Sequence, residues 1–141
     1  KSIIEQTSFV VFGSPIVRAE LRATPKTLKV KDKNLRVYLL ILYDLITKER
    51  VLPLTHQVEN LAELYYAEYK MLGGGRGREE LKNDFLLVAS ASLKNMDIIV
   101  SEDESTMRSE HARQAYIAIN AAEKLRNPDF SSYEKFKILF R

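Results

Sequence analysis

Two kinds of apolar patterning alternate along the chain: short unbroken runs, and longer stretches in which apolar residues return every third or fourth position. Ser8-Phe9-Val10-Val11-Phe12-Gly13 is of the first kind, β-branched and aromatic residues stopped by Gly13-Ser14-Pro15, and it predicts a buried strand. Ser14 then fits an N-cap with Pro15 at the first helical position, so a helix is expected from Pro15 to about Ala23, ended by Pro25 and carrying Glu20. Between Lys31 and Glu49 the apolar residues Leu35, Tyr38, Leu39, Leu42, Leu45 and Ile46 fit one helical face, and Val51 to Leu54 is long enough only for a short strand. Thr55 caps the next expected helix, whose apolar face is Val58, Leu61, Ala62, Tyr65, Tyr69 and Leu72 and which Gly73-Gly74-Gly75 terminates before an Arg-bearing loop. Glu79 to Lys94 reads as a helix apolar on nearly all sides over Phe85 to Ala91, as in a helix packed in the interior. Asp97-Ile98-Ile99-Val100-Ser101 predicts a strand buried on both faces. A long helix over about Thr106 to Arg126 and a short one over Ser132 to Phe140 complete the chain. Strands alternating with helices imply the α/β class with a parallel sheet, and the absence of a repeat or a compositional break implies one domain over 1–141.

Composition narrows the chemistry. At 141 residues, one core can bury roughly two thirds of the surface of the unfolded chain. With 45% hydrophobic and 29% charged residues, the chain is an ordinary globular sequence. There is no cysteine, which removes disulfides, thiolate zinc sites and thiol nucleophiles together and suits a reducing, cytoplasmic setting. Only His56 and His111 are available as imidazole ligands, so any metal must rely on carboxylates, and that favours hard cations. No apolar run approaches the roughly 20 residues a bilayer requires, so no membrane association is expected. Net charge is +3, which predicts a local basic rim and not a strongly basic surface.

In a parallel α/β sheet, ligands and catalytic groups gather beyond the C-terminal ends of the strands. Asp103 follows the apolar strand at once, Asp84 leads into the buried helix, and Glu20 sits on the helix after the first strand, so three acids have reason to meet at one sheet edge. Crowded carboxylates repel unless a cation neutralises them or some stay protonated. A divalent metal held there could position phosphate oxygens and activate water.

Four segments in register resemble the PIN-domain nucleases. Ser14-Pro15-Ile16-Val17-Arg18-Ala19-Glu20-Leu21 looks like that family's strand-to-helix segment ending in Glu-Leu, and Val51-Leu52-Pro53-Leu54-Thr55 like the strand before its acid-led helix. Asn83 to Ala91 resembles that helix, and Asp97 to Asp103 the strand followed by Ser/Thr-x-Asp. The resemblance implies a three-layer fold, a central parallel sheet flanked by helices. It also implies a Mg²⁺- or Mn²⁺-dependent endoribonuclease, with Glu20, Asp84 and Asp103 as metal ligands and Ser101 as a supporting hydrogen-bonding group. Implied partners are RNA, a second copy of the chain and, as in the toxins of toxin-antitoxin pairs, a small antitoxin-type protein. The family's first strand, with its Asp in an Asp-Thr/Ser-Asn sequence, has no counterpart in the 19 residues ahead of Glu20. Because the chain opens without Met, the expectation is that this strand precedes Lys1 in a longer protein; the alternative is a catalytically inactive member.

Blander readings stand beside each of these. Asp84 serves a helix macrodipole equally well, Asp103 an N-cap for a segment starting near Ser105, and Glu20 a surface pair with neighbouring arginines. Glu102 and Glu104 read as solvated, His111 as a surface residue, and Tyr65, Tyr66 and Tyr69 as core or helix-interface residues. The basic run Arg18, Arg22, Lys26, Lys29, Lys31, Lys33 and Arg36, and the group Arg76, Arg78 and Lys82 ahead of Asp84, are solvated faces or phosphate contacts. Three functions follow: the ribonuclease, an inactive scaffold that binds RNA or protein, and a structural α/β domain whose acids never meet.

Overall fold

The computed structural model describes residues 10–30, 33–48, 50–101, 103 and 105–139. The strand expectation at Ser8 and Phe9 and the solvated reading of Glu102 and Glu104 lie outside these residues. The chain divides into two compact units, Lys1–Pro53 and Leu54–Arg141.

In the first unit, helix α1 (Pro15–Arg22) starts as the sequence predicts. The Ser14 hydroxyl accepts the Ile16 N–H at 3.2 Å, and Pro15 occupies the first turn, where an N–H would have no helical partner. A two-residue antiparallel pair, β1 (Lys29–Val30) and β2 (Lys33–Asn34), precedes helix α2 (Leu35–Thr47). The Asn34 side chain caps α2 by accepting the Val37 N–H, so this helix begins four residues later than its apolar pattern suggests. Helix α2 packs on α1. Tyr43 ties the two, its hydroxyl accepting the Ser14 N–H at 2.7 Å and donating to the Ser14 carbonyl at 3.1 Å. That approach requires glycine at position 13, where a Cβ would overlap the Tyr43 ring and hydroxyl. The two expected strands at Val10–Gly13 and Val51–Leu54 reduce to one parallel bridge, Gly13 to Val51. Of the apolar positions on α2, Tyr38, Leu42 and Leu45 are exposed, whereas Leu35, Leu39 and Ile46 are half-buried.

The second unit is built on helices α3 (His56–Met71), α4 (Arg78–Leu93) and α5 (Glu110–Ala122), with α3 packed on both others. Thr55 caps α3 as expected, accepting the Val58 N–H at 3.3 Å. Val58, Leu61, Ala62, Tyr65 and Tyr69, spaced by three and four, form its buried face. Gly73 stops the chain beyond α3 with φ of 100°, a left-handed conformation that glycine adopts without penalty. Helix α4 buries Leu81, Phe85, Leu86, Val88, Ala89, Ser90, Ala91 and Ser92, which is the nearly all-round burial its sequence implies. Tyr65 makes edge contacts with Phe85 and Tyr116, and Phe130 stacks on Tyr116 at 5.5 Å.

Strand β3 (Ile98–Val100) pairs in parallel with β4 (Asp129–Ser131), in the register Ile98 to Asp129 and Val100 to Ser131, and α5 is the crossover between them. The described molecule is therefore a helix-rich α/β protein with a small parallel sheet, closed by helix α6 (Tyr133–Leu139). The expectation that β3 is buried on both faces needs correcting: Ile98 and Ile99 are half-buried and Val100 is 44% exposed, because a two-stranded sheet leaves each strand an edge. The last long helix is also shorter than expected, since Ser105–Arg108 form a turn and α5 starts only after the Ser109 cap.

Candidate functional site: two carboxylates on one hydroxyl

Asp84 lies on α4 between Leu81 and Val88, one turn from each, at the rim of the buried face, and is half-buried. Asp103 follows β3, where the chain leaves the sheet. The Ser101 hydroxyl accepts the Asp103 backbone N–H at 3.1 Å. The Asp103 side chain caps the following turn: its Oδ1 accepts the Thr106 N–H at 2.8 Å, the Ser105 N–H at 3.1 Å and the Ser105 hydroxyl at 3.3 Å. Capping and site membership are thus compatible, because these bonds leave Oδ2 to the Thr106 hydroxyl. The same hydroxyl lies 2.5 Å from Asp84 Oδ2. Arg108 braces the turn, donating from Nη1 to the Ser101 carbonyl at 2.8 Å, and the Tyr116 hydroxyl donates to the Met107 carbonyl at 2.8 Å.

This geometry separates the two acids electrostatically. The Thr106 hydroxyl, together with the backbone N–H groups of Thr106 and Ser105, holds Asp103 below the ordinary carboxylate range. Burial pushes Asp84 above that range, and the neighbouring charge of Asp103 adds to the effect while the Thr106 hydroxyl opposes it. Thr106 has one proton for two carboxylate oxygens. When both acids are ionised, only one can receive it, and the pair then gains from a further proton or from a cation. Burial also pushes the Tyr116 phenol well above its usual range, with the charge of Asp84 next in importance.

Of the three expected ligands, the structure brings together Asp84 and Asp103. Glu20 lies exposed on α1 in the first unit. Among the described residues, no group of three or more His, Asp and Glu side chains is arranged to hold a metal. His56 and His111 are exposed, as read for His111, whose ring meets Tyr69 edge-on at 6.4 Å. In the basic run, Arg18 is committed to Asp44 through two hydrogen bonds of 3.1 and 3.0 Å, a pair that lowers Asp44 and raises Arg18. Arg76 hydrogen-bonds Glu80, whose carboxylate raises the guanidinium further above its ordinary range.

Thr106 was not singled out by sequence reasoning. The available signal was its position three residues after an Asp that leaves a strand, the spacing at which a side-chain cap meets the N–H it accepts. Comparison of the chain with protein-family models, curated proteins and solved structures gives no match.

Proposed function

We propose that the protein is a metal-dependent ribonuclease of PIN-like, three-layer architecture, with Asp84 and Asp103 as the ligands at its centre, Ser101 as their support and Glu20 as the third acid. The observation that carries this reading is the convergence of Asp84 and Asp103 on the Thr106 hydroxyl, at the end of a parallel strand. Two carboxylates fit Mg²⁺ or Mn²⁺ in particular, because a small hard cation keeps most of its waters and takes only one or two acids from the protein. Once bound, the ion supplies a water of lowered pKa and positive charge against the phosphate that is attacked.

The remaining work falls to the chain itself. Ser105 and Thr106 hold the Asp103 carboxylate in its ionised form and in one orientation, while Ser101 fixes the backbone beneath it by accepting the Asp103 N–H. Helix α4 holds Asp84 where burial disfavours its charge, so Asp84 gains most from a cation. Arg76, Arg78 and Lys82 lie just before or beside Asp84 in sequence and suit contacts to the phosphates of an RNA strand. A cytoplasmic setting, a second copy of the chain and an antitoxin-type partner belong to this reading through the family it resembles.

The expected result with the full chain is Mn²⁺-dependent cleavage of single-stranded RNA, abolished by EDTA and reduced at least about 100-fold by Asp103→Asn. Equal cleavage by parent and variant would locate the activity elsewhere. A second reading is an inactive RNA- or protein-binding scaffold of the same fold, favoured by one observation: three hydrogen bonds to Oδ1 already employ Asp103 as the cap of its own turn. Metal-independent RNA binding without cleavage would move that reading to first place.

A further inference from the structure

The geometry points to a base-stacking subsite for one nucleotide of single-stranded RNA, in a groove on the second unit between the first half of α3 and the first half of α4. The groove encloses about 480 Å³, within the range of roughly 300–1,000 Å³ typical of small-molecule pockets. Its floor is apolar, with Phe85 and Leu86 from α4 and Ala62 from α3. Tyr66 forms one wall. The Arg78 guanidinium lies 4.8 Å from the Tyr66 ring centroid and is oriented by an ion pair with Glu63. Tyr66 also neighbours the Tyr69 ring, their centroids 6.2 Å apart and their planes 29° from parallel, so it has both a guanidinium and a second ring beside it.

The Arg78 side chain is 54% exposed, so it is within reach of a flat group entering the groove. Nucleobases stack on arginine planes and aromatic rings in this manner, without sequence preference, and cationic side chains track the phosphates between them. Lys82, one turn along α4, supplies such a cation, while Asn60 and Glu59 offer hydrogen-bonding groups to a base edge. The charges also argue against an apolar helix as occupant, since it would strip water from Glu59, Glu63, Arg78 and Lys82 with nothing to replace it. Tyr65 and Tyr69 are core residues as the sequence suggests, but Tyr66 is half-buried and turned to the groove.

The subsite rests on the ribonuclease reading for its substrate class, and the experiment separates the two. A fluorescein-labelled, mixed-sequence single-stranded oligoribonucleotide is titrated with the full chain in EDTA, and binding is read by anisotropy. Tyr66→Ala and Arg78→Lys, the latter keeping the charge but losing the plane, are expected to weaken binding by about tenfold. Tyr66→Phe is expected to bind within about twofold of the parent, since stacking needs the ring and not the hydroxyl. Circular dichroism confirms that each variant is folded. No binding by the parent, or parent-like binding by folded Tyr66→Ala and Arg78→Lys, overturns the subsite. RNA binding that depends on Tyr66 and Arg78 in a chain that neither binds Mn²⁺ nor cleaves RNA supports the subsite and removes the nuclease reading alone.

Discussion

Asp84 and Asp103 are the same side chain in two environments, and the difference is legible atom by atom. Three protein N–H and O–H donors on Oδ1, with the Thr106 hydroxyl on Oδ2, favour the charged form of Asp103. Asp84 meets the same hydroxyl from a half-buried helix rim, where its charge is disfavoured. The consequences for stability have opposite signs. The folded value of Asp84 is raised, so its stabilising contribution is complete below the unfolded carboxylate value of about 3.9 and is lost as pH rises through the folded value. The folded value of Asp103 is lowered, so its contribution is present above about 3.9 and is lost as pH falls through the folded value. In urea unfolding with EDTA, Asp84→Asn should therefore gain stability relative to the parent between roughly pH 4 and 7. Asp103→Asn should lose stability over the same interval, with its deficit shrinking in acid. Parallel pH profiles for the two variants would contradict the assignment of opposite environments.

At the scale of elements, the helices were read most faithfully, because their signals are local. Ser14 before Pro15, Thr55 before a three-and-four apolar spacing, and the glycines after α3 each place a boundary within a few residues of where it falls. The strands were harder. Strand β4 is Asp129-Phe130-Ser131, with one apolar residue and no alternation to detect, and it exists because its backbone pairs with β3. The pair β1 and β2 is equally silent, and the Gly13–Val51 contact is a single bridge where two apolar runs suggested strands. Asp103 was legible from its position after an apolar run, while Thr106 was not, since a turn hydroxyl gains its meaning only when α4 brings a second acid to it. A further feature no local pattern reveals is the buried polar knot joining three helical elements: the Tyr65 hydroxyl donates to Asn120 Oδ1 at 2.6 Å and lies 3.0 Å from Ser92 Oγ, and Asn120 Nδ2 donates to Asn127 Oδ1 at 2.9 Å. Burial pushes the Tyr65 phenol up to about 12, so it remains a donor at all ordinary pH. Tyr65→Phe leaves a buried acceptor without its proton and should cost about 2 kcal/mol in urea unfolding, with an unchanged denaturant slope. A cost near zero would mean that the knot contributes no net stability.

For the whole molecule, two quantities bound what it can do. Among the described residues, no helix is long and apolar enough to cross a membrane. The net charge of +3 is small, so the RNA association proposed above rests on a few placed cations and on stacking, not on a broad positive field. If Arg76, Arg78 and Lys82 supply the phosphate contacts, the logarithm of the RNA-binding constant should fall against the logarithm of salt with a slope of about −2. A slope several times steeper would show that a wider basic surface is engaged. The second unit holds both the Asp84–Asp103 pair and the Tyr66–Arg78 groove, whereas Glu20 and most of the basic run belong to the first.

The most direct test of the central claim is calorimetric titration of Mn²⁺ into the full chain, beside an Asp84→Asn/Asp103→Asn double variant that melts as cooperatively as the parent. Saturable binding near one ion per chain, lost in the variant, is the expected result and would place both acids in one metal site. Binding that is absent from the parent, or equal in parent and variant, would contradict it.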